Sequence, residues 1–311
     1  MRLLHAFGFL LAILGSLYFY FATLHPHQVL PDHAFFDAPE PWAIAHQGGR
    51  GLWPENTLYA FNRATELGVD VLDMDLRVTA DGEVVVIHDA SVDRTTNGQG
   101  RVDAMTLAGI RELDAGYRFE NGGEFPYRGR GLTVSTLGEV LSEFPESRLI
   151  LEMKQFTHEQ AVAFCRLLME RNATKRVLVA SFAHDPMKAF RAECPEVATS
   201  ATMREGLILY HLNRIRLASL YRSPAVALQI PETLGDTRIV EPRLFDLAAA
   251  YNVRVQVWTV NDGVDMRRLL RMGVHGILTD FPDRLLRLMR RPRESRQHRR
   301  LRASALVTRS Y

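Results

Sequence analysis

The feature that most constrains this chain is a repeated alternation of short apolar runs with stretches of helical period. The apolar runs read as strands at Trp42–Ala45, Val69–Leu76, Glu83–His88, Arg148–Met153, Arg176–Ala180, Val197–Thr199, Ala225–Ile230, Val253–Thr259 and Gly276–Leu278. Most are unbroken by polar residues, as expected of parallel strands covered on both faces. Between them, Leu58, Phe61 and Ala64 keep a helical stripe, as do Ala161, Phe164 and Leu168, and Leu244, Leu247 and Ala248. The pairs Thr136/Glu139, Thr157/Gln160 and Thr202/Glu205 have the spacing of capping boxes and mark helix starts. Strand–helix repetition over about 250 residues predicts an α/β chain folded as a (β/α)8 TIM barrel. A doubly wound sheet is the alternative, but no glycine-rich dinucleotide fingerprint follows the first strand. Residues 91–133 break the rhythm and are expected to be a small insertion on the rim of the barrel.

Charge divides the chain into three parts. The 38 Lys+Arg and 36 Asp+Glu give a formal net charge of only +2. Residues 290–311 nevertheless hold a cluster of arginines and a single Glu, so the rest of the chain is acidic. The tail from 291 lacks apolar periodicity and is expected to be disordered, either as a solubilising end or as a contact with anionic lipid. An acidic body would oppose nucleic acid, which is not expected as a partner. At the other end, Ala6 to Leu24 is uncharged. At 1.5 Å per residue this run makes a helix of roughly 28 Å, near the hydrocarbon thickness of a bilayer. Residues 1–25 therefore read as a membrane anchor, with a cleaved signal peptide as the competing reading. Arg2 favours a cytoplasmic N-terminus and hence a body on the non-cytoplasmic side. Residues 26–40 read as a linker and 41–290 as the barrel. Cys165 and Cys194 lack metal-type spacing and are expected to be buried free thiols, with a disulfide as the alternative if the body is exported.

In a barrel the chemistry gathers at the C-terminal ends of the strands. His46 ends the first run and His88 the third. Asp73 and Asp75 lie two apart on one strand, and Glu152 and Lys154 two apart on another, so each pair shares a face. Three carboxylates without a cysteine make a hard-oxygen set suited to Mg²⁺ or Ca²⁺. Two imidazoles can serve as general acid and general base, and Lys154 adds a positive charge. Together they suit an anionic phosphodiester, whose transition state needs charge stabilisation.

The same residues, in the same order, resemble the glycerophosphodiester phosphodiesterase family. The likeness runs through IAHQGGRGLWPENTLYAF (44–61), the D-x-D of VLDMDL, DGEVVVIHDASVDRTTNGQG (81–100), LILEMK (149–154), QVWTVND (256–262) and GILTDFPD (276–283). The resemblance implies a barrel with an insertion after the second histidine motif, one divalent cation, and hydrolysis of a glycerophosphodiester to sn-glycerol 3-phosphate and an alcohol. It implies that His46 and His88 are the acid–base pair, that Asp73, Asp75 and Glu152 are metal ligands, and that Lys154 lies near the phosphate. It implies an aromatic wall at Trp258 and places Glu55 in the site region, a helix-start acid favoured by the dipole being the other reading of Glu55; by its residue type, Asn56 is expected to be the N-cap of the next helix. Two positions depart from the family pattern. Gln47 stands where an Arg is usual, and Asp73 where a Glu is usual; Arg50 is a nearby replacement cation. The expected route has a glycerol 2-hydroxyl attack phosphorus, with His46 as acid and His88 as base; direct attack by water is the alternative. The anchor also makes membrane lysophospholipids a second substrate class, in a lysophospholipase D reaction. A phosphoinositide-type lyase is disfavoured by the D-x-D pair and the PENT motif, and a non-catalytic membrane-tethered binding protein is the remaining alternative.

Overall fold

The structure is a computed structural model and describes residues 2–289; the basic tail lies outside the described residues. The strands are β1 (Trp42–Ala45), β2 (Val71–Val78), β3 (Val84–Val86), β4 (Arg148–Met153), β5 (Val177–Ala180), β6 (Ala198–Thr199), β7 (Ala227–Pro231), β8 (Thr233–Leu234), β9 (Thr237–Arg238), β10 (Arg254–Trp258) and β11 (Gly276–Thr279). The helices are α1 (Arg2–Phe19), α2 (Leu58–Leu67), α3 (Leu107–Arg111), α4 (Leu137–Glu143), α5 (His158–Glu170), α6 (His184–Glu193), α7 (Met203–Arg214), α8 (Pro242–Tyr251), α9 (Gly263–Met272) and α10 (Pro282–Met289). Parallel pairing runs in the order β6-β5-β4-β2-β1-β11-β10-β7. A parallel bridge from Ser200 to Ala227 brings the two ends of that order together. Val226 N donates to Thr199 O at 3.0 Å and Ala201 N to Ala227 O at 2.8 Å across the same seam. The result is a nearly closed eight-stranded parallel barrel with an outer ring of helices.

Strand period decides what faces inward. Leu72, Met74 and Leu76 pack outward with Leu149, Leu151, Met153 and helix residues such as Phe61, Val140 and Phe164. Val71 and Ile150 belong to a separate cluster with Ile44, Leu178 and Leu278. Asp73, Asp75 and Glu152 continue that inner parity toward the C-terminal mouth. All three expected capping boxes are formed, at Thr136, Thr157 and Thr202.

Three expectations change. The third apolar run is not a barrel stave. β3 pairs antiparallel with β2, Leu76 facing Val86. The chain reverses at Thr79–Glu83, where Gly82 has φ 85° and Thr79 N donates to Glu83 O at 2.9 Å. The Asp81-Gly82 pair between two apolar runs is the sequence signal of such a hairpin. The segment expected as a linker carries Phe35 and Phe36, both buried, with Phe36 stacked on Trp42 at 5.4 Å. Trp42 begins β1, so this pair covers the N-terminal end of the barrel. Arg148 Nε donates to Phe35 O at 2.9 Å and holds it there.

The cysteines are not free thiols. Cys165 of α5 and Cys194 after α6 form a disulfide. Both are fully buried between two packed helices, which brings together side chains that are 29 positions apart in sequence. Residues 91–133 carry α3 and pack a small core of their own, with Val92, Val102, Ile110 and Ala115 set against Val85 and Ile87. The apolar head is helical, and His5–Leu24 is long and apolar enough to cross a membrane, with mean hydropathy 1.9 and none of it buried. Its far end is tied to the body. Tyr18 Oη donates to Ile215 O at 3.2 Å, and Ser219 Oγ donates to Phe21 O.

Two measurements follow from these contacts. Closing a loop of this length is worth about 3–4 kcal/mol in the chain-entropy account. The Cys165→Ala/Cys194→Ala protein should lose stability of that order in denaturant unfolding, and reductant should lower the melting temperature of the wild type but not of the variant. Separately, Glu205 accepts a forked pair from Arg191 at 2.7 and 3.2 Å, plus Thr202 N at 2.8 Å and Ser223 Oγ at 3.0 Å. Burial pushes the Glu205 carboxyl up, but the Arg191 guanidinium and the other donors outweigh it and hold the pKa below its usual 4.5. That stabilisation is complete above pH 4.5 and is lost as pH falls through the lowered folded value. Glu205→Gln should cost ~2–3 kcal/mol at neutral pH. The gap in melting temperature between wild type and variant should close on acidification; a gap that stays constant would contradict the pairing.

Candidate active site

The site begins where β1 ends. Gln47, Gly48 and Gly49 follow His46 with φ of 52°, 79° and 91°, a left-handed turn that lifts the chain out of the strand. At Gly48 a Cβ would lie 2.8 Å from the Ala60 Cβ, so glycine is required where this turn meets α2. Gln47 adopts its positive φ while fully buried. It is held there because its Nε2 donates to Asp75 Oδ2 at 2.6 Å and its backbone N to Asp73 Oδ2 at 3.4 Å.

Adjacent strands gather the acids. The register of β2 and β4 sets Asp75 opposite Glu152. Asp75 accepts from Gln47 and from Asn56 Nδ2 at 3.0 Å, and Lys154 Nζ stands 3.2 Å from its other oxygen. Lys154 Nζ is also 2.7 Å from Glu152 Oε1. Burial pushes the Asp75 carboxyl up, but Lys154 and the other partners outweigh it, so its pKa falls. For Lys154 burial favours the neutral amine, yet Asp75 and Glu152 hold it charged and raise its pKa. Asp73 has no such cation beside it. Burial, with Asp75 and Glu152 nearby, pushes it up to about 7 against the pull of His46. Burial raises Glu152 as well. Its Oε1 is buried and receives no well-directed hydrogen bond, despite the nearby ammonium.

This donor set fits a hard divalent cation in its chemistry: three carboxylates near one another, two of them buried, and one, Asp73, with its charge poorly compensated. The side chains are not drawn into a formed cage. Among the described residues no group of His, Cys, Asp and Glu is arranged as a ready metal site, and Lys154 lies between two of the acids.

Each histidine is backed by a carboxylate. His46 Nδ1 pairs with Asp280 Oδ1 at 2.7 Å, and Asn261 Nδ2 donates to Asp280 Oδ2 at 2.8 Å. Burial disfavours the His46 imidazolium, but Asp280 and Asp73 outweigh it, so the pKa is raised. His88 reaches the mouth from the hairpin rather than from a barrel stave; Arg77 Nε fixes its carbonyl at 2.8 Å. Its Nδ1 pairs with Asp89 Oδ1 at 2.6 Å. Arg94, from the insertion, donates to Asp89 Oδ2 at 2.6 Å and forks onto Glu55 at 2.8 and 2.5 Å. Although burial raises the Asp89 carboxyl, the Arg94 and His88 contacts take it down to about 2. With Nδ1–H given to a carboxylate, each ring keeps Nε2 for proton transfer.

His46, Asp73, His88, Glu152, Lys154 and Trp258 line one cavity of about 1300 Å³. Trp258 meets Phe182 edge-on at 5.8 Å, and Lys154 Nζ lies 5.9 Å from the Phe182 ring. Asp75 sits beneath this surface. Gln47 lies deeper, as a donor to Asp75 rather than as a group facing the cavity. Glu55 is tied to Arg94. Arg50 turns toward Asp280 at 3.8 Å and toward Gln47 at 3.4 Å. Asn56 is not the helix cap: Thr57 Oγ1 accepts from Ala60 N at 3.2 Å, and Asn56 serves Asp75 instead. Asp280 and Arg94 are site residues that were not expected from the sequence. Asp280 ends the last apolar run, so the strand-end rule that found His46 applies to it too. No local pattern marks Arg94.

Fold and mouth together are those of a (β/α)8-barrel enzyme, with two carboxylate-backed histidines beside a cluster of acids. Residues 46–284 match the Glycerophosphoryl diester phosphodiesterase family, and the chain belongs to it. A glycerophosphodiester phosphodiesterase of Caldanaerobacter subterraneus subsp. tengcongensis is 33% identical over 256 residues, covering 80% of this chain and 97% of that protein. An Oleispira antarctica phosphodiesterase, solved in complex with the product sn-glycerol-3-phosphate, is 26% identical with a TM-score of 0.66, covering 83% of this chain and 99% of the other. A mouse lysophospholipase D is 24% identical over 267 residues, covering 78% of this chain and 84% of that protein.

The pairing of His46 with Asp280 sets a test on the imidazole itself. Asp280→Asn removes a charge and an acceptor that raise the pKa, while burial, which lowers it, remains. The His46 resonance in an NMR titration should move to a lower pKa than in the wild type. An unchanged midpoint would show that Asp280 does not govern this ring.

Proposed function

We propose that the protein hydrolyses glycerophosphodiesters to sn-glycerol 3-phosphate and an alcohol by two-histidine acid–base catalysis. The observation that carries this reading is two carboxylate-backed histidines lining one cavity with Lys154 and a cluster of acids, in a chain of this family. His46 is the general acid, since the Asp280 carboxylate behind it raises its pKa and favours the imidazolium. His88 is the base. It takes the proton of the glycerol 2-hydroxyl, whose oxygen attacks phosphorus. His46 then protonates the departing alkoxide. Water opens the cyclic phosphate with the two roles exchanged. Lys154 neutralises charge on the non-bridging oxygens, and Trp258 walls the glycerol. Asp73, Asp75 and Glu152 would hold one divalent cation, Mg²⁺ or Ca²⁺, which supplies Lewis-acid stabilisation of the phosphate charge. Gln47 contributes by holding Asp75 in place rather than by meeting the phosphate.

The apolar head is proposed as an uncleaved tether with the barrel on the non-cytoplasmic side. The span of His5–Leu24, the cytoplasmic preference of Arg2 and a buried disulfide, which oxidising compartments maintain, all favour that orientation. The mouse relative's name supports a second reading, alcohol release from lysophospholipids, and the size of the cavity favours it.

His88→Ala should lower glycerophosphocholine turnover by ~10²–10⁴-fold, with the melting temperature unchanged. Phosphorus NMR of the wild-type reaction should show a transient cyclic glycerol phosphate. Chelation of divalent cations should remove the activity, and added Mg²⁺ or Ca²⁺ should restore it. Full turnover in the His88 variant would overturn the assignment.

A further inference from the structure

The outer side of α7 does not suit water. Glu205, Leu209 and Leu212 turn inward, Glu205 onto Arg191 and the two leucines into the apolar core. The opposite side of the helix carries Met203, Leu207 and Ile208, all exposed, and the chain just beyond it exposes Ile215 and Leu220. Soluble surfaces scatter such side chains singly; several on one face mark a contact surface. The charges beside them are of one sign. Between 203 and 222 the chain has four arginines, Arg204, Arg214, Arg216 and Arg222, all exposed. The single acid in that stretch is Glu205, which is buried against Arg191. Exposed apolar groups bordered by arginines are the composition of a helix that lies in a membrane interface.

The end of the apolar head fixes the level of this surface. Ser219 Oγ donates to Phe21 O, and Tyr18 Oη donates to Ile215 O at 3.2 Å. Both partners belong to the candidate span His5–Leu24. Phe21 and Tyr18 come before its last residue by roughly 5 and 9 Å of helix. A span seated in a bilayer therefore brings residues 215–220 to the depth of its own last turns, and α7 with them.

We infer that the outer side of α7 and the connection after it form a second membrane contact, lying in the head-group region of an anionic bilayer. The inference rests on the reading of the head as a tether and goes beyond it, since a tether alone leaves the barrel free to turn. Met203, Leu207, Ile208, Ile215 and Leu220 enter the acyl boundary, and the neighbouring arginines meet lipid phosphates. Met203 and Leu207 also line the cavity, as does the exposed Leu234 of the β8–β9 hairpin. The contact therefore holds one edge of the mouth at the bilayer surface and gives the barrel a fixed orientation.

The test is the depth of single nitroxide labels on the full chain in nanodiscs of mixed phosphatidylcholine and phosphatidylglycerol. Cys165 and Cys194 are joined to each other, so the label attaches only to an introduced thiol. Ile208→Cys and Ile215→Cys read the face, and Ile13→Cys reads the span. Asn62→Cys is the reference: Asn62 is exposed on α2, which packs on β2, far round the barrel from the β6–β7 seam that α7 crosses. The ratio of collisions with oxygen to collisions with a water-soluble nickel chelate should be at least ~3-fold higher at Ile208 and Ile215 than at Asn62, because an interfacial helix sinks its apolar side ~5–10 Å. Arg214→Glu with Arg216→Glu should bring the Ile208 ratio down toward the reference; an unmoved ratio would overturn the role of anionic lipid. Ratios at Ile208 and Ile215 equal to the reference, with Ile13 protected, would overturn the contact and leave the tether standing. Protection at Ile208 and Ile215 with Ile13 open to the chelate would overturn the tether and keep the contact, and labels open at all three positions would overturn both. Protection confined to discs that hold two copies would assign the face to a second copy of the chain and overturn the bilayer proposal.

Discussion

Everything at this mouth depends on placing three carboxylates inside a barrel that would otherwise bury only apolar groups. An isolated buried carboxylate is costly, and the chain meets that cost in different ways at neighbouring positions. Asp75 is surrounded by donors from Gln47, Asn56 and Lys154 and stays charged. Asp73 is left with a poorly compensated charge. The left-handed turn at Gln47, the short loop to α2 and the inward lean of Lys154 all follow from satisfying these oxygens. They are also the reason that a position expected to hold a phosphate-binding Arg can be filled by an amide: in this chain its side chain serves the acid below it.

The two histidines repeat one device with different suppliers. His46 draws its carboxylate from the end of β11, so the first and last staves of the barrel close on one another through Asp280. His88 draws its carboxylate from its own neighbour, and the insertion then secures that carboxylate through Arg94. Arg94 reaches back to Glu55 on the loop before α2. The insertion thus packs its own small core and still fixes the orientation of His88 at the barrel mouth.

The apolar N-terminal helix, the disulfide and the cavity all bear on the proposed tethering of the barrel. A helix long enough to span a bilayer ends against α7 and the connection that follows it, and the cavity opens beside that junction. The disulfide joins α5 to the end of α6 and is compatible with a body held outside a reducing compartment.

The alternation of apolar runs and helical stripes was sufficient for the barrel, because strand and helix periods are local properties of the chain. So were the capping boxes, and so was the list of polar residues that end the strands. Local pattern failed where long-range pairing decided the outcome. β3 reads like its neighbours, yet a tight turn reverses it onto β2. The Phe35–Phe36 pair lies in a proline-rich segment that looks like a linker, yet Trp42 offers it a surface. The cysteines pair only because two helices pack side by side. Gln47 and Asp75, 28 positions apart, meet only across β1 and β2, and Arg94 finds Glu55 only after the insertion folds back. The sequence by itself therefore determined the barrel and the polar residues at its mouth, since both follow from periodicity. Which carboxylate backs each histidine, which acid keeps its charge, and which residues of the N-terminal segment line the cavity were decided by tertiary structure, because burial and hydrogen bonding depend on neighbours that are distant in sequence.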